Sequence, residues 1–203
     1  MFEMPRSIPP GVSPPTVRRG DGRPARTAAG FTMMELLSVL AILGIAMAIS
    51  VPSIRTALAG ARADAGMRQL LGELQSAHDY AMTQRRTIEV QFLGTNEIRT
   101  VRIDGSTRTT LRDIFFENGM QYFLDNSLPD TPDAFGNAGP ISFDGLTTVW
   151  FLVDGSLVDG DGVPLTGTVF LGKPDRPLWS RAVTVLGPTG RTQAYRWDGS
   201  RWR

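Results

Sequence analysis

The chain has 203 residues, a formal charge of +1, no cysteine and a single histidine, His78. That length suits one globular domain and one further segment. The missing cysteines exclude a disulfide framework, thiolate chemistry and a zinc–thiolate centre, and one histidine is too few for a histidine metal cluster. No metal and no cofactor are expected.

The N-terminal stretch 1–30 carries Arg6, Arg18, Arg19, Arg23 and Arg26 against Glu3 and Asp21, a net of +3, among Pro5, Pro9, Pro10, Pro14, Pro15 and Pro24. It has no apolar periodicity and reads as a basic leader without a packed structure. Nineteen uncharged residues follow from Leu36 to Ile54. A helix of that length is about 28 Å long, close to the ~30 Å of a bilayer's hydrocarbon core. The arginines before it predict a cytoplasmic N-terminus, with the rest of the chain outside. Pro52 falls inside this run and predicts a bend, because it removes an N–H and crowds the preceding turn.

Beyond it, Met67, Leu70, Leu71, Leu74, Ala77 and Ala81 recur at three and four residues. This predicts an amphipathic continuation ending near Gln84–Arg86, with Arg62, Asp64, Arg68, Glu73, His78 and Asp79 mostly on its polar side. After Thr87 the apolar pattern shortens to period two. Strands are predicted at 87–93, 97–103, 110–117, 147–153, 167–171, 181–186 and 191–197, with Asn-Gly, Asp-Gly and Gly-Pro signals between several of them. The stretch 125–145 shows no element and reads as a long loop. The fold class expected is α+β: a long N-terminal helix, transmembrane and then amphipathic, packed on a C-terminal antiparallel sheet or small sandwich. The organisation expected is a leader over 1–30, a helix over 31–86 and a β-rich head over 87–203.

Charge is unevenly spread over that head. Nine acids and no base lie between Asp113 and Gly172, whereas Lys173 to Arg203 holds seven bases against Asp175 and Asp198, a net of +5.

One segment is motif-specific: Gly30-Phe31-Thr32-Met33-Met34-Glu35-Leu36-Leu37. A carboxylate entering a membrane at the head of an apolar helix is costly and needs a partner. A basic leader, a glycine, a phenylalanine and a glutamate at the fifth position after the cut resemble the signal of type IV prepilins, and Gly44 and Pro52 lie in the apolar helix as they do there. The resemblance implies the type IV pilin-like fold, cleavage after Gly30 by a membrane prepilin peptidase and N-methylation of Phe31. It also implies pairing of Glu35 with the charged N-terminus of a neighbouring subunit in a filament. Residues 69–92, 148–171 and 181–197 loosely resemble the GspH/FimT group within those proteins. That group's members serve as minor pseudopilins of type II secretion or as minor type IV pilins, so the resemblance implies a non-enzymatic assembly protein. Its partners would be other pseudopilins or pilins through the N-terminal helix, its place the inner membrane, its head periplasmic.

Other readings carry less. An ordinary secretory signal would be cut after Ala57-Leu58-Ala59, but the apolar run is long for one and begins with Glu35. The pair Arg18-Arg19 is not followed by apolar residues, as a twin-arginine signal would be. Arg191, Arg196, Arg201 and Arg203, interleaved with Tyr195, Trp197 and Trp202, are candidate DNA contacts through phosphate and base stacking. Strand alternation, however, puts Arg191 and Arg196 on opposite faces, and a solvated terminal hairpin is the favoured reading. Asp154-Gly155, Asp159-Gly160 and Asp161-Gly162 lack the closing glutamate of a calcium loop and read as turns. Trp150, Phe151 and Phe170 read as core.

Overall fold

In the computed structural model the described residues are 30–203, with the side chains of 49–57 and 59 also outside the description. The leader expected over 1–29 therefore lies outside the described residues. The chain divides into two units between Ile45 and Ala46.

The first element is one continuous helix, α1, Met33–Gln84. It starts where the sequence supplies a cap: the Thr32 hydroxyl accepts a hydrogen bond from the Glu35 N–H at 3.2 Å. Thr-x-x-Glu ahead of an apolar run is the capping-box pattern, which satisfies N–H groups that have no partner one turn back. The helix continues through Pro52, and the bend expected there falls among the residues whose side chains lie outside the description. Among the described residues no helix is long and apolar enough to cross a membrane. The span expected over 36–54 runs into that same side-chain gap.

Ten strands follow: β1 Thr87–Leu93, β2 Glu97–Asp104, β3 Thr107–Phe115, β4 Gln121–Tyr122, β5 Ile141–Ser142, β6 Thr148–Phe151, β7 Leu157–Val158, β8 Gly167–Gly172, β9 Arg181–Leu186 and β10 Arg191–Arg196. They form two antiparallel sheets. One has the order β3-β2-β1-β6-β7; the other has the order β10-β9-β8-β4, with β5 also paired to β8. The architecture is α+β, an N-terminal helix with antiparallel sheets, as the change of period at Thr87 predicts.

The sheets and the second half of α1 share one core. Ala63, Leu70, Leu74, Ala77 and Ala81 of the helix are wholly buried, together with Ile88, Val90, Val149 and Phe151 of the first sheet and Val169, Leu171, Val183 and Val185 of the second. Strand alternation sends the intervening residues of the second sheet the other way. Phe170 and Ala182 join Leu128, Trp197 and Trp202 in a smaller cluster on its outer face. The 125–145 stretch is what covers that face. Trp202 Nε1 donates to the Pro129 carbonyl at 2.8 Å, and Thr184 Oγ1 donates to Asp133 Oδ2 at 2.6 Å. The loop expectation needs one correction, since Ile141–Ser142 pairs with β8.

The polar side of α1 also needs correction. Glu73 is 3% exposed, because Arg112 reaches over from the edge strand β3 and its Nη1 donates to Glu73 Oε1 at 2.7 Å. His78 is half-buried: its ring meets Phe151 edge-on, with centroids 5.7 Å apart. Two turns make room for it. Gly155 and Gly190 have φ of +86° and +62°, a region that disfavours any side chain. A Cβ on Gly155 would stand 2.7 Å from His78 Nε2, and one on Gly190 would overlap the Gly155 carbonyl and the His78 ring. The histidine and the two turns therefore lock together.

Gly190→Ala adds left-handed backbone strain to a clash with backbone. It is expected to destabilise the head by about 2–4 kcal/mol, read as a lower urea midpoint at unchanged slope.

Candidate functional site

Two regions bear the functional candidates, and the first is the N-terminal motif. Gly30, Phe31 and Glu35 sit at the start of α1, and the side chains described from Phe31 to Ala48 are all exposed within the chain. Phe31 is 75% exposed, and Leu36, Leu40, Ile42, Ile45 and Met47 are each more than half exposed. Glu35 occupies the third helical position. There a carboxylate interacts favourably with the N-terminal end of the helix dipole, while its own N–H is held by Thr32. The charge thus has a local role as a cap residue as well as any role between subunits. The Thr32-x-x-Glu35 spacing was the signal for it.

The second region is the terminal hairpin. Arg196 and Arg203 exchange backbone hydrogen bonds, Arg196 N to Arg203 O at 2.8 Å and Arg203 N to Arg196 O at 3.0 Å. Within this hairpin Trp197 meets Trp202 with ring centroids 5.5 Å apart. Arg196, Arg201 and Arg203 are thereby brought together. Arg191 stays at the far end of β10, about 17 Å away along the strand, where it lines a cleft with Gln75, His78 and Asp79. Its side of the strand is Tyr195's, which packs in the smaller cluster, whereas Arg196 shares a side with Ala194, which packs in the main core.

The arginines are also engaged by acids. Arg203 Nε lies 2.6 Å from Asp198 Oδ2, Arg201 Nε 3.9 Å from the same atom, and Arg196 Nη1 3.9 Å from Asp64 Oδ2. Asp198 Oδ1 accepts from the backbone N–H of Arg201 and of Ser200, both at 2.9 Å, and from the Ser200 hydroxyl at 2.8 Å. Those bonds favour the carboxylate form and hold its pKa down to about 2.

Sequence reasoning missed the residue that ties these parts to the helix. Arg181, first residue of β9, is 1% exposed. Its Nε donates to Asp64 Oδ1 at 2.7 Å, its Nη1 to the carbonyls of Leu178 and Ser180 at 3.0 and 2.9 Å, and its Nη2 to the Gly60 carbonyl at 3.4 Å. Burial pulls this guanidinium below the usual arginine range, and Asp64 opposes the shift. A base opening the otherwise apolar run Arg181-Ala-Val-Thr-Val-Leu was the available signal. Glu89 is a comparable case, 1% exposed on β1 and paired with Arg108, with Trp150 Nε1 donating to it at 3.2 Å. Among the described residues no group of three or more acids or histidines is placed to hold a metal ion.

No family model matches the chain, and no curated protein matches it. Solved structures do. The chain is similar to minor pilins and pseudopilins. The type IV minor pilin FimU of Pseudomonas aeruginosa matches at 16% identity and a TM-score of 0.46, over 69% of this chain and 91% of that one. The minor pseudopilin EpsH from the type 2 secretion system of Vibrio cholerae matches at 12% identity and a TM-score of 0.45, over 66% of this chain and 97% of that one.

The Asp198 turn generates a pH prediction. Its folded pKa lies below the ordinary 3.8, so its contribution is complete above that value and is lost as pH falls through about 2. The near-ultraviolet dichroism of the Trp197–Trp202 pair is expected to hold steady down to about pH 4 and to collapse only towards pH 2. Asp198→Asn should weaken that signal at neutral pH.

Proposed function

We propose that this chain is a pilin-like assembly subunit, non-enzymatic, made as a prepilin and held in the inner membrane by the apolar half of α1, with its head in the periplasm. The observation that carries the reading is the coincidence of two features at one helix end. The Gly30-Phe31 junction with Glu35 stands at the head of a helix on which Phe31, Leu36, Leu40, Ile42, Ile45 and Met47 are each more than half exposed. A row of large apolar side chains this long requires either lipid or the stems of other subunits.

On this reading a prepilin peptidase cuts after Gly30, Phe31 becomes the N-methylated terminus, and Glu35 pairs with the terminal amine of a neighbour. Such a pair in a low-dielectric stem bundle offsets the desolvation of both charges and fixes axial register. The finer reading is a minor pseudopilin of a type II secretion pseudopilus, with other pseudopilins as partners. The rival role of a minor type IV pilin shares the same stem chemistry and differs in its partners. Nucleic acid is not the favoured partner, because Arg191 stands about 17 Å along β10 from Arg196, Arg201 and Arg203, so the four candidates do not form one stripe.

The local cap and the intersubunit charge are separable. Glutamine serves in a capping box as glutamate does but carries no charge. Glu35→Gln and Glu35→Ala are both expected to lower the fraction of the chain that co-purifies with sheared filaments by tenfold or more, with membrane insertion intact. Loss of a dipole contact alone at an exposed position is typically worth about 0.3–1 kcal/mol, up to roughly fivefold. Wild-type incorporation of Glu35→Gln beside a modest defect in Glu35→Ala would leave Glu35 as a cap residue and overturn the assembly role.

A further inference from the structure

The loop between β8 and β9, residues 173–180, runs Lys-Pro-Asp-Arg-Pro-Leu-Trp-Ser. It presents Leu178 to solvent at 60% exposure, beside exposed Lys173 and Arg176 and the acid Asp175. The loop is firmly built. Pro177 opens a 3-10 turn, Pro177–Trp179, and the buried Arg181 guanidinium holds the Leu178 and Ser180 carbonyls. Lys173 Nζ lies 5.5 Å from the centre of the Trp179 ring. The terminal turn abuts the same place, since a Cβ on Gly199 would stand 3.4 Å from Leu178 Cδ2. Arg201 and Arg203, 70% and 58% exposed, therefore belong to this end of the head.

Position along α1 supplies the rest. The guanidinium that holds the Leu178 carbonyl also reaches the Gly60 carbonyl, at 3.4 Å. Gly60 is six residues past Ile54, the end of the uncharged run, or about 9 Å along a helix. The headgroup layer outside the hydrocarbon core is about 5–8 Å thick. A loop at this height, carrying one exposed leucine, a tryptophan at its base and a ring of cations, has the composition of an interfacial anchor.

We propose that the Lys173–Ser180 loop and the adjoining terminal arginines rest on the anionic phospholipid headgroups of the membrane that the stem enters, with Leu178 seated among them. This rests on the reading of residues 36–54 as a membrane-entering stem. The exposed Lys173, Arg176, Arg201 and Arg203 then have a use that needs no nucleic acid: they meet headgroup phosphate. Two acids at this end fit the assignment, since Asp64 and Asp198 are each held by arginine; the exposed Asp175 opposes the attraction.

The cysteine-free chain permits a direct test on the full-length protein. Nitroxide labels are placed one at a time at Leu178→Cys, Val153→Cys and Ile42→Cys. Val153 serves as the distant control: it lies two residues from Gly155, which packs on His78, eighteen residues or about 27 Å further along the helix than Gly60. The protein is reconstituted into phosphatidylcholine vesicles with or without phosphatidylglycerol, and relaxation by a water-soluble nickel chelate and by oxygen is measured. With phosphatidylglycerol, label 178 is expected to be several-fold less accessible to nickel than label 153. That protection should shrink in high salt and in the double variant Lys173→Gln, Arg176→Gln. Equal nickel access at 178 and 153, with label 42 oxygen-accessible and nickel-protected, overturns the proposal while the stem reading stands. A water-accessible label 42 overturns both. Protection at 178 that appears in phosphatidylcholine alone on adding duplex DNA, or only at high protein density, assigns the surface to nucleic acid or to a neighbouring subunit and also overturns it.

Discussion

The pairing of Arg181 with Asp64 is the interaction on which the head depends. Its geometry explains why a fully charged side chain is tolerated with 1% of its surface exposed. One carboxylate and three carbonyls receive the guanidinium's N–H groups, so the cost of removing it from water is met by charge-assisted bonds in a fixed fork. Those four acceptors belong to α1 and to the turn before β9. The pair therefore fixes how far along the helix the second sheet sits, which apolar contacts alone, being non-directional, do less sharply. Buried ion pairs of this kind add little net stability against an apolar substitute, and their use here is registration. Glu73 with Arg112 does the same between α1 and the edge of the first sheet, and His78 between Gly155 and Gly190 closes the far end.

With the helix so fixed, its two parts have different surroundings. From Ala63 onward the inward positions fill a core shared by two sheets, whereas Phe31 to Ala48 are exposed. The same helix is thus an ordinary amphipathic element in one part and carries exposed large apolar side chains in the other. Such a surface is unfavourable in water, and the assembly reading assigns it lipid and then neighbouring stems.

Much of this was legible in the sequence because the relevant signals are local. The switch from a spacing of three and four to alternation at Thr87 follows from the geometry of each element. Runs such as Thr-Ile-Glu-Val-Gln-Phe-Leu are long enough to show it. Strands β4, β5 and β7 have two residues each, too few to carry a period, and they exist because longer strands pair with them. Glu73 and Asp64 belong to the polar side of the helix by their chemistry alone. Their inward position depends on Arg112 and Arg181, partners 39 and 117 residues away, and no local pattern reports such distances. Thr32-x-x-Glu35 is a different case: the capping box is present in the sequence, and the same carboxylate carries the prepilin resemblance, so one residue holds two signals. The pairing of Arg201 and Arg203 with Asp198 depends on a turn flanked by the Trp197–Trp202 contact, which the run of arginines and aromatics does not announce.

The central claim is that this chain enters a membrane as a prepilin and leaves its leader behind. Intact-mass and N-terminal analysis of the protein extracted from cells that carry the cognate peptidase tests it most directly. The account predicts one mature species beginning at Phe31, its terminal amine bearing a single methyl group, and loss of that species when Gly30 is replaced by a bulky residue. A mature chain beginning at Gly60, or an uncut chain beginning at Met1 in those cells, would contradict it.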